Sequence, residues 1–390
     1  MLKDLSLSNV TAGLVAVLVG YTSSVAIVFQ AAQASGADAA TLSSWMWALG
    51  WGMGLGCVLP SLWLKRPVMM AWSTPGAAVL AVSAQGFGME QAVGAFLFSG
   101  ALVTLCGVTG WFEKALNRIP MALASALLAG VLAKFALNGF KSAEQALALA
   151  IGMLACFLIL RRWLPRYAVP ITFAVGVLWA LLEGRIDSTQ IRWELATPVW
   201  TTPSFDWQAL ISLGVPLFVV TMASQNLPGV AAIRNAGYQM PISALITISG
   251  VITLALAPFG GYAINLAAIT AAICLGPQAH ADPDKRYVAA VVCGLAYIVL
   301  GIMGGSVAGL ISAVPPVLVL MIAALALLAT ISSGLVSAMR EDASRDAALL
   351  TFLVTMSGVT IAGIGSAFWG VVAGLCALGL NSYGRSGTAR

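Results

Sequence analysis

Charge is scarce in this 390-residue chain: Asp, Glu, Lys and Arg make up 8% of it, against roughly 25% in soluble domains. The acidic residues, 14 in all, fall at the ends of apolar runs or between them. A membrane pathway for cations ordinarily needs an intramembrane carboxylate, so metal-ion transport is disfavoured and an anionic or neutral cargo favoured. Histidine occurs once, as His280, near Asp282 and Asp284 in a connecting stretch; without a second His or Cys nearby it makes no zinc site. The six cysteines lie in apolar runs without CxxC or metal-ligand spacing, so packed, reduced thiols are expected and no metal or cofactor is implied. No Ser/His, Asp/Asp or HExxH arrangement stands within an apolar run, which disfavours an intramembrane enzyme. The repeated polar or charged rings of an ion channel are also missing. The net charge of +5 comes from basic residues scattered singly or in pairs, which is a topology signal and no footprint for nucleic acid.

What remains is apolar: 60% of residues are hydrophobic and the mean hydropathy is +0.96. The chain is expected to be an all-α polytopic membrane protein. A span needs about 20 apolar residues. Candidates run at roughly 10–33, 41–63, 67–84, 90–110, 119–138, 145–163 and 167–184, then 207–233, 240–257, 258–276, 286–305, 313–333, 346–364 and 366–383. The first run exceeds a signal-peptide core and has no cleavage pattern, so it is expected to stay as a span. Fourteen segments result, seven on each side of a polar, tryptophan-bearing connector at 185–206, with Trp193, Trp200 and Trp207 as interfacial anchors. With a cytoplasmic N-terminus, fifteen of the 19 Lys and Arg fall inside, and only Lys134, Lys141, Arg185 and Arg192 outside. That bias supports fourteen spans and two cytoplasmic termini. Lys134, toward the outer end of its span, is expected to snorkel.

Residues 1–184 and 207–390 have the look of repeats. GVTGWFEKALNRIP, ending at Pro120, parallels GIMGGSVAGLISAVP, ending at Pro315, at an offset near 195–200. Seven spans being odd, the second copy enters from the opposite side, an inverted repeat of the kind that builds secondary transporters. Two matching segments are broken. Pro67–Leu80 reads PVMMAWSTPGAAVL, with Ser73 or Thr74 as N-cap and Pro75 in the first turn of a half-helix. Ala257–Thr270 reads APFGGYAINLAAIT, where Pro258, Gly260 and Gly261 delay a helix until near Tyr262. Such breaks survive in hydrocarbon only where they line a protein cavity, and half-helix starts offer free N–H groups and a positive dipole end. Gly76 and Gly261 are therefore expected to border one cavity.

The segments LVGYTSSVAIVFQAA, AWSTPGAA, PLFVVTMASQNLPGVAA, FGGYAINLAAITAAIC and IGSAFWGVVAG together resemble the benzoate/proton symporter family, the BenE type. More distantly the chain is similar to uracil and xanthine permeases and to sulfate and bicarbonate carriers. The resemblance implies seven plus seven inverted spans, short extended pieces before the half-helices of spans 3 and 10, and substrate between those half-helices. It also implies a core of spans 1–4 and 8–11, a gate of spans 5–7 and 12–14, and a homodimer. Nucleobase permeases carry a glutamate at the place of Gln225, in Ser224-Gln225-Asn226, and often another at the place of Tyr262. Neutral groups here remove repulsion against a carboxylate.

The candidate substrate contacts are then Tyr21 and Ser24, with Ser23, in the interrupted first span; Ser73, Thr74 and Gly76; Gln225 and Asn226, before the helix-loosening Pro228-Gly229; and Gly261, Tyr262 and Asn265. Each has a plainer role open to it: back-bonding in the first span, helix capping at the breaks, interhelical bonding in the eighth span. The expected partners are an aromatic carboxylate, protons and the bilayer of the bacterial inner membrane. A nucleobase or inorganic-anion carrier of the same fold, or an anion channel, is the alternative.

Overall fold

The computed structural model describes residues 4–111, 121–164, 167–187, 193–277, 279–359, 361 and 366–386. Lys3, Lys114, Arg118, Arg166, Arg192, Arg390 and the proline Pro120 lie outside them, as does the side chain of Ser23. The described chain is mostly helical. In order come α1 (Leu7–Ala34), α2 (Ala39–Leu64), β1 (Met70–Trp72), α3 (Thr74–Ser83), α4 (Met89–Val108), α5 (Met121–Ser142), α6 (Leu147–Trp163) and α7 (Ala168–Leu182). There follow α8 (Trp207–Arg234), α9 (Ile242–Leu256), β2 (Ile264–Leu266), α10 (Ile269–Leu275), α11 (Tyr287–Ile302), α12 (Gly304–Ser312), α13 (Pro316–Ala338), α14 (Arg345–Ser357) and α15 (Ser366–Ser386). Among the described residues seven helices are long and apolar enough to cross a membrane, or eight with α1, which bends by 43° between Tyr21 and Ser24.

Local chemistry sets the boundaries. Ser6 caps α1 through the Asn9 N–H, and Asp38 caps α2 through Thr41, a contact that holds the Asp38 carboxyl below its ordinary range. Small residues set the helix spacing: Gly50 and Gly54 of α2 meet Gly301 and Gly294 of α11, while Gly100 and Gly107 of α4 meet Thr253 and Thr247 of α9. The connector has no regular structure over 193–206 and laces helix ends together, Thr201 N–H donating to Pro258 O and Ser204 N–H to Glu90 O. Trp193, Trp200 and Trp207 are exposed along it.

The two breaks meet at the centre. β1 and β2 pair antiparallel, Met70 with Leu266, Ala71 with Asn265 and Trp72 with Ile264. The ladder continues through Ser73 N–H to Ala263 O (3.0 Å) and Ala267 N–H to Met69 O (2.9 Å). A two-stranded sheet has two open edges, which hydrocarbon does not tolerate, and helix side chains close both. Thr253 Oγ1 accepts from Ile264 N–H and Asn226 Oδ1 from Leu266 N–H. On the other edge Cys57 Sγ accepts from Met70 N–H and Ser61 Oγ from Val68 N–H.

This corrects the expected half-helix start. Helix resumes at Ile269, not near Tyr262, and Tyr262 and Asn265 belong to the extended piece. The reason is backbone pairing: after the turn at Gly260 the chain must stay extended to bond β1. Tyr262 is fully buried against Trp45 and Phe96, ring centroids 5.6 and 5.9 Å away. Of the two glycines at the break, Gly260 takes the left-handed conformation (φ +94°). At the third segment the expected start holds, with Ser73 as the cap: its Oγ accepts the Gly76 N–H at 3.0 Å.

Candidate functional site

A cavity of about 110 Å³ lies where the breaks converge. A single water needs roughly 10–15 Å³, so the space suits a small organic molecule. Trp72, Thr74 and Pro75 contribute from the third segment, Ala267, Ala268 and Thr270 from the tenth, and Gln225 from α8. Gly20 and Ser24 of α1, Met53 of α2, Tyr297 of α11, and Ala326 and Leu327 of α13 complete the lining. Among the described residues, no Asp, Glu, Lys, Arg or His lines it.

Each polar group is placed by a local device. Ser24 sits at the bend of α1; its hydroxyl donates to Gly20 O (2.9 Å) and accepts from Trp72 Nε1 (2.8 Å), and such back-bonding helps bend helices. That bond fixes the Trp72 indole across the cavity. In α8, π-helical turns at Leu210–Gly214 and Met222–Asn226 each stand just before a proline, Pro216 and Pro228. A proline supplies no N–H to the preceding turn, and π-turns of this kind concentrate at functional sites. Within the second turn two adjacent amides divide their work. Gln225 lines the cavity, while Asn226, fully buried, holds the Leu266 N–H at 2.9 Å. Replacing Asn226 with Leu leaves that buried N–H unpaired, a cost of about 1–3 kcal/mol. Asn226→Leu should lower the unfolding temperature of detergent-purified protein; an unchanged temperature would show that β2 does not depend on this bond.

Of the expected contacts, Ser24, Thr74 and Gln225 are brought together around the cavity. Ser73 stands one residue behind it as the cap, receiving a hydrogen bond from Thr221 Oγ1 as well. Gly76 packs under Leu217, and Gly261 packs on Leu256; neither lines the cavity, so the expected shared border is formed by Thr74–Pro75 and Ala267–Ala268 instead. Tyr262, Asn265 and Asn226 lie in its supporting frame, and Tyr21 borders a separate space. Sequence reasoning passed over Trp72, Thr270 and Tyr297. Trp72 adjoins the Ser73 cap, but its place at the cavity depends on its bond to Ser24, 48 positions away. The Thr270 hydroxyl is buried with no partner among the described residues. Tyr297 sits in an unbroken apolar helix, where no local signal marks it.

A cavity between two broken membrane segments in corresponding halves is the arrangement of a membrane transporter's binding site. The chain belongs to the benzoate transport family: the family model BenE, "Benzoate membrane transport protein", matches residues 3–380. It is 45% identical over 371 residues to the inner membrane protein YdcO of Escherichia coli (95% of each chain). It is 37% identical over 375 residues to the benzoate membrane transport protein of Acinetobacter baylyi (96% of this chain, 95% of that one). The fold is similar to the transmembrane domain of the cyanobacterial bicarbonate transporter BicA, with TM-score 0.66 and 14% identity over 95% of this chain and 97% of that one. It is similar also to SLC26A9, with TM-score 0.66 and 12% identity over 98% of this chain and 66% of that one. At these identities the two structures speak for fold alone.

Proposed function

We propose that the protein is a proton-coupled importer of benzoate or a close aromatic carboxylate in the bacterial inner membrane, both termini cytoplasmic. The cavity carries this reading. It offers the aromatic faces of Trp72 and Tyr297 for a ring, and for a carboxylate the N-terminus of α3, the Gln225 amide and the unpartnered Thr270 hydroxyl. In the first turn of α3 Pro75 has no N–H, Gly76 donates to Ser73 Oγ and Ala77 to Ser73 O. The Thr74 N–H is left for an anion, with the helix dipole behind it. Ser24 and Thr74 are assigned as contacts with Gln225; Ser73, Gly76, Asn226, Gly261, Tyr262 and Asn265 hold the frame. The name of the Acinetobacter relative agrees with the cargo.

Transport is assigned to an elevator-like movement of a core (spans 1–4 and 8–11) against a gate (spans 5–7 and 12–14), in a homodimer. Fourteen spans in two inverted repeats, 1–184 and 207–390 about the connector 185–206, are supported by a symmetry in the contacts. Ala71 and Asn265, the central pair of β1 and β2, stand 194 positions apart, close to the offset between the matched sequence segments. The same offset relates Gly100 and Gly107 to Gly294 and Gly301, all four at helix crossings.

The test is uptake of labelled benzoate into proteoliposomes with and without an inward proton gradient, competed with salicylate, uracil and sulfate. Gradient-stimulated uptake blocked by salicylate alone is expected. Absence of benzoate uptake, or its blockade by uracil or sulfate, would reassign the cargo.

A further inference from the structure

A second cavity, of about 270 Å³, lies beside the first. Val25 and Ala26 of α1, Phe173 and Val177 of α7, Val307 and Leu310 of α12, and Val319 and Ile322 of α13 supply most of its wall. Among the described residues, every lining side chain is hydrocarbon except Tyr21. Apolar space of this size has room for an aromatic ring: an apolar cavity of roughly 150 Å³ binds benzene.

Tyr21 stands between the two spaces. Its ring packs on Trp72 at 4.9 Å and lies 6.2 Å from Tyr297, both of which line the first cavity, while Tyr21 itself lines the second. Its hydroxyl is buried and has no partner among the described residues. A hydroxyl left unpaired at depth costs stability, so no hydrogen bond accounts for a tyrosine here; the bulk of the ring does. We infer that Tyr21 is the size-determining partition of the substrate site: it backs the Trp72–Tyr297 wall that limits the first cavity to one aromatic ring, and the apolar space beyond is where a second fused ring would go when that backing is removed. The inference rests on the aromatic-carboxylate reading of the first cavity.

Equilibrium binding of radiolabelled benzoate and 2-naphthoate to purified protein tests it. Wild type should bind benzoate and discriminate against 2-naphthoate. Tyr21→Ala should bind 2-naphthoate at least tenfold more tightly than wild type does, and Tyr21→Phe should keep the one-ring preference. Adding Val319→Phe to Tyr21→Ala should cancel the gain, because it refills the second space. If Tyr21→Ala does not fold, Tyr21→Val carries the same comparison. Benzoate binding by wild type with no two-ring gain in the smaller variant overturns the partition and leaves the substrate reading standing. A gain that survives Val319→Phe also overturns it, since the extra ring then lies elsewhere. Occupation of the second space by co-purified lipid, with naphthoate still excluded from Tyr21→Ala, does the same. Wild type that binds neither acid overturns the substrate reading, and the inference with it.

Discussion

Gly260→Ala is expected to abolish uptake and to cause a large loss of thermal stability. Gly260 ends the 3₁₀ turn Ala257–Phe259 with φ +94°, a left-handed conformation. An L side chain there costs about 1–2 kcal/mol. The larger problem is space: a Cβ at Gly260 would lie inside the Trp45 indole. Trp45 has no room to move, being fully buried with Phe96 at 5.5 Å and Tyr262 at 5.6 Å. Overpacking of this kind adds roughly 1–3 kcal/mol, and the sum is a large part of the 5–15 kcal/mol of a typical domain. The displaced turn also carries the start of β2, and with it one side of the cavity. Gly86 provides the control. It has nearly the same φ, +95°, but nothing within 4 Å of the site a Cβ would take. Gly86→Ala should therefore lose the backbone part alone and keep uptake. Equal unfolding temperatures for the two variants would show that Trp45 does not hold this turn.

Where the sequence was informative, the controlling forces were local. Ser73 and Pro75 begin α3 through contacts within one turn of chain, so a half-helix start could be read from AWSTPG alone. The tenth segment advertised its break through Pro258 and Gly260, but not its resumption at Ile269. That position is decided by hydrogen bonds to Met69 and Ser73, nearly 200 residues away, and an apolar run of that length fits strand and helix equally. Gln225 and Asn226 were legible as a polar pair in an apolar span. Which of them faces the cavity depends on the π-turn, whose extra residue rotates the helix face and has no periodic signature. Ser24 was visible as a polar interruption, yet its partner Trp72 became a site residue only when β1 brought the indole across to α1. Tyr21 was visible for the same reason as Ser24, and one residue type could not tell a contact from a wall.

Gln225→Glu should weaken benzoate uptake far more at pH 8 than at pH 5. Gln225 borders the cavity, which no charged side chain among the described residues lines. Two like charges about 4 Å apart at an effective dielectric near 20 repel by roughly 4 kcal/mol. A quarter of that still costs several-fold in affinity, since about 1.4 kcal/mol is tenfold. The penalty requires the new carboxyl to be ionised. More of it carries a proton at pH 5 than at pH 8, so repulsion rises with pH and uptake falls. Gln225→Ala removes the amide and adds no charge, so its defect should be nearly independent of pH. Proton coupling alone changes the wild-type rate, so each variant is compared with wild type at the same pH, as an initial rate in proteoliposomes. Lys134, the charged residue furthest inside a long apolar helix, contacts the Gly358 end of α14 rather than the cavity and does not neutralise the new carboxylate. Parallel normalised profiles for the Glu and Ala variants would mean that Gln225 does not face an anion, and the carboxylate would then have to be placed against α3 without help from α8.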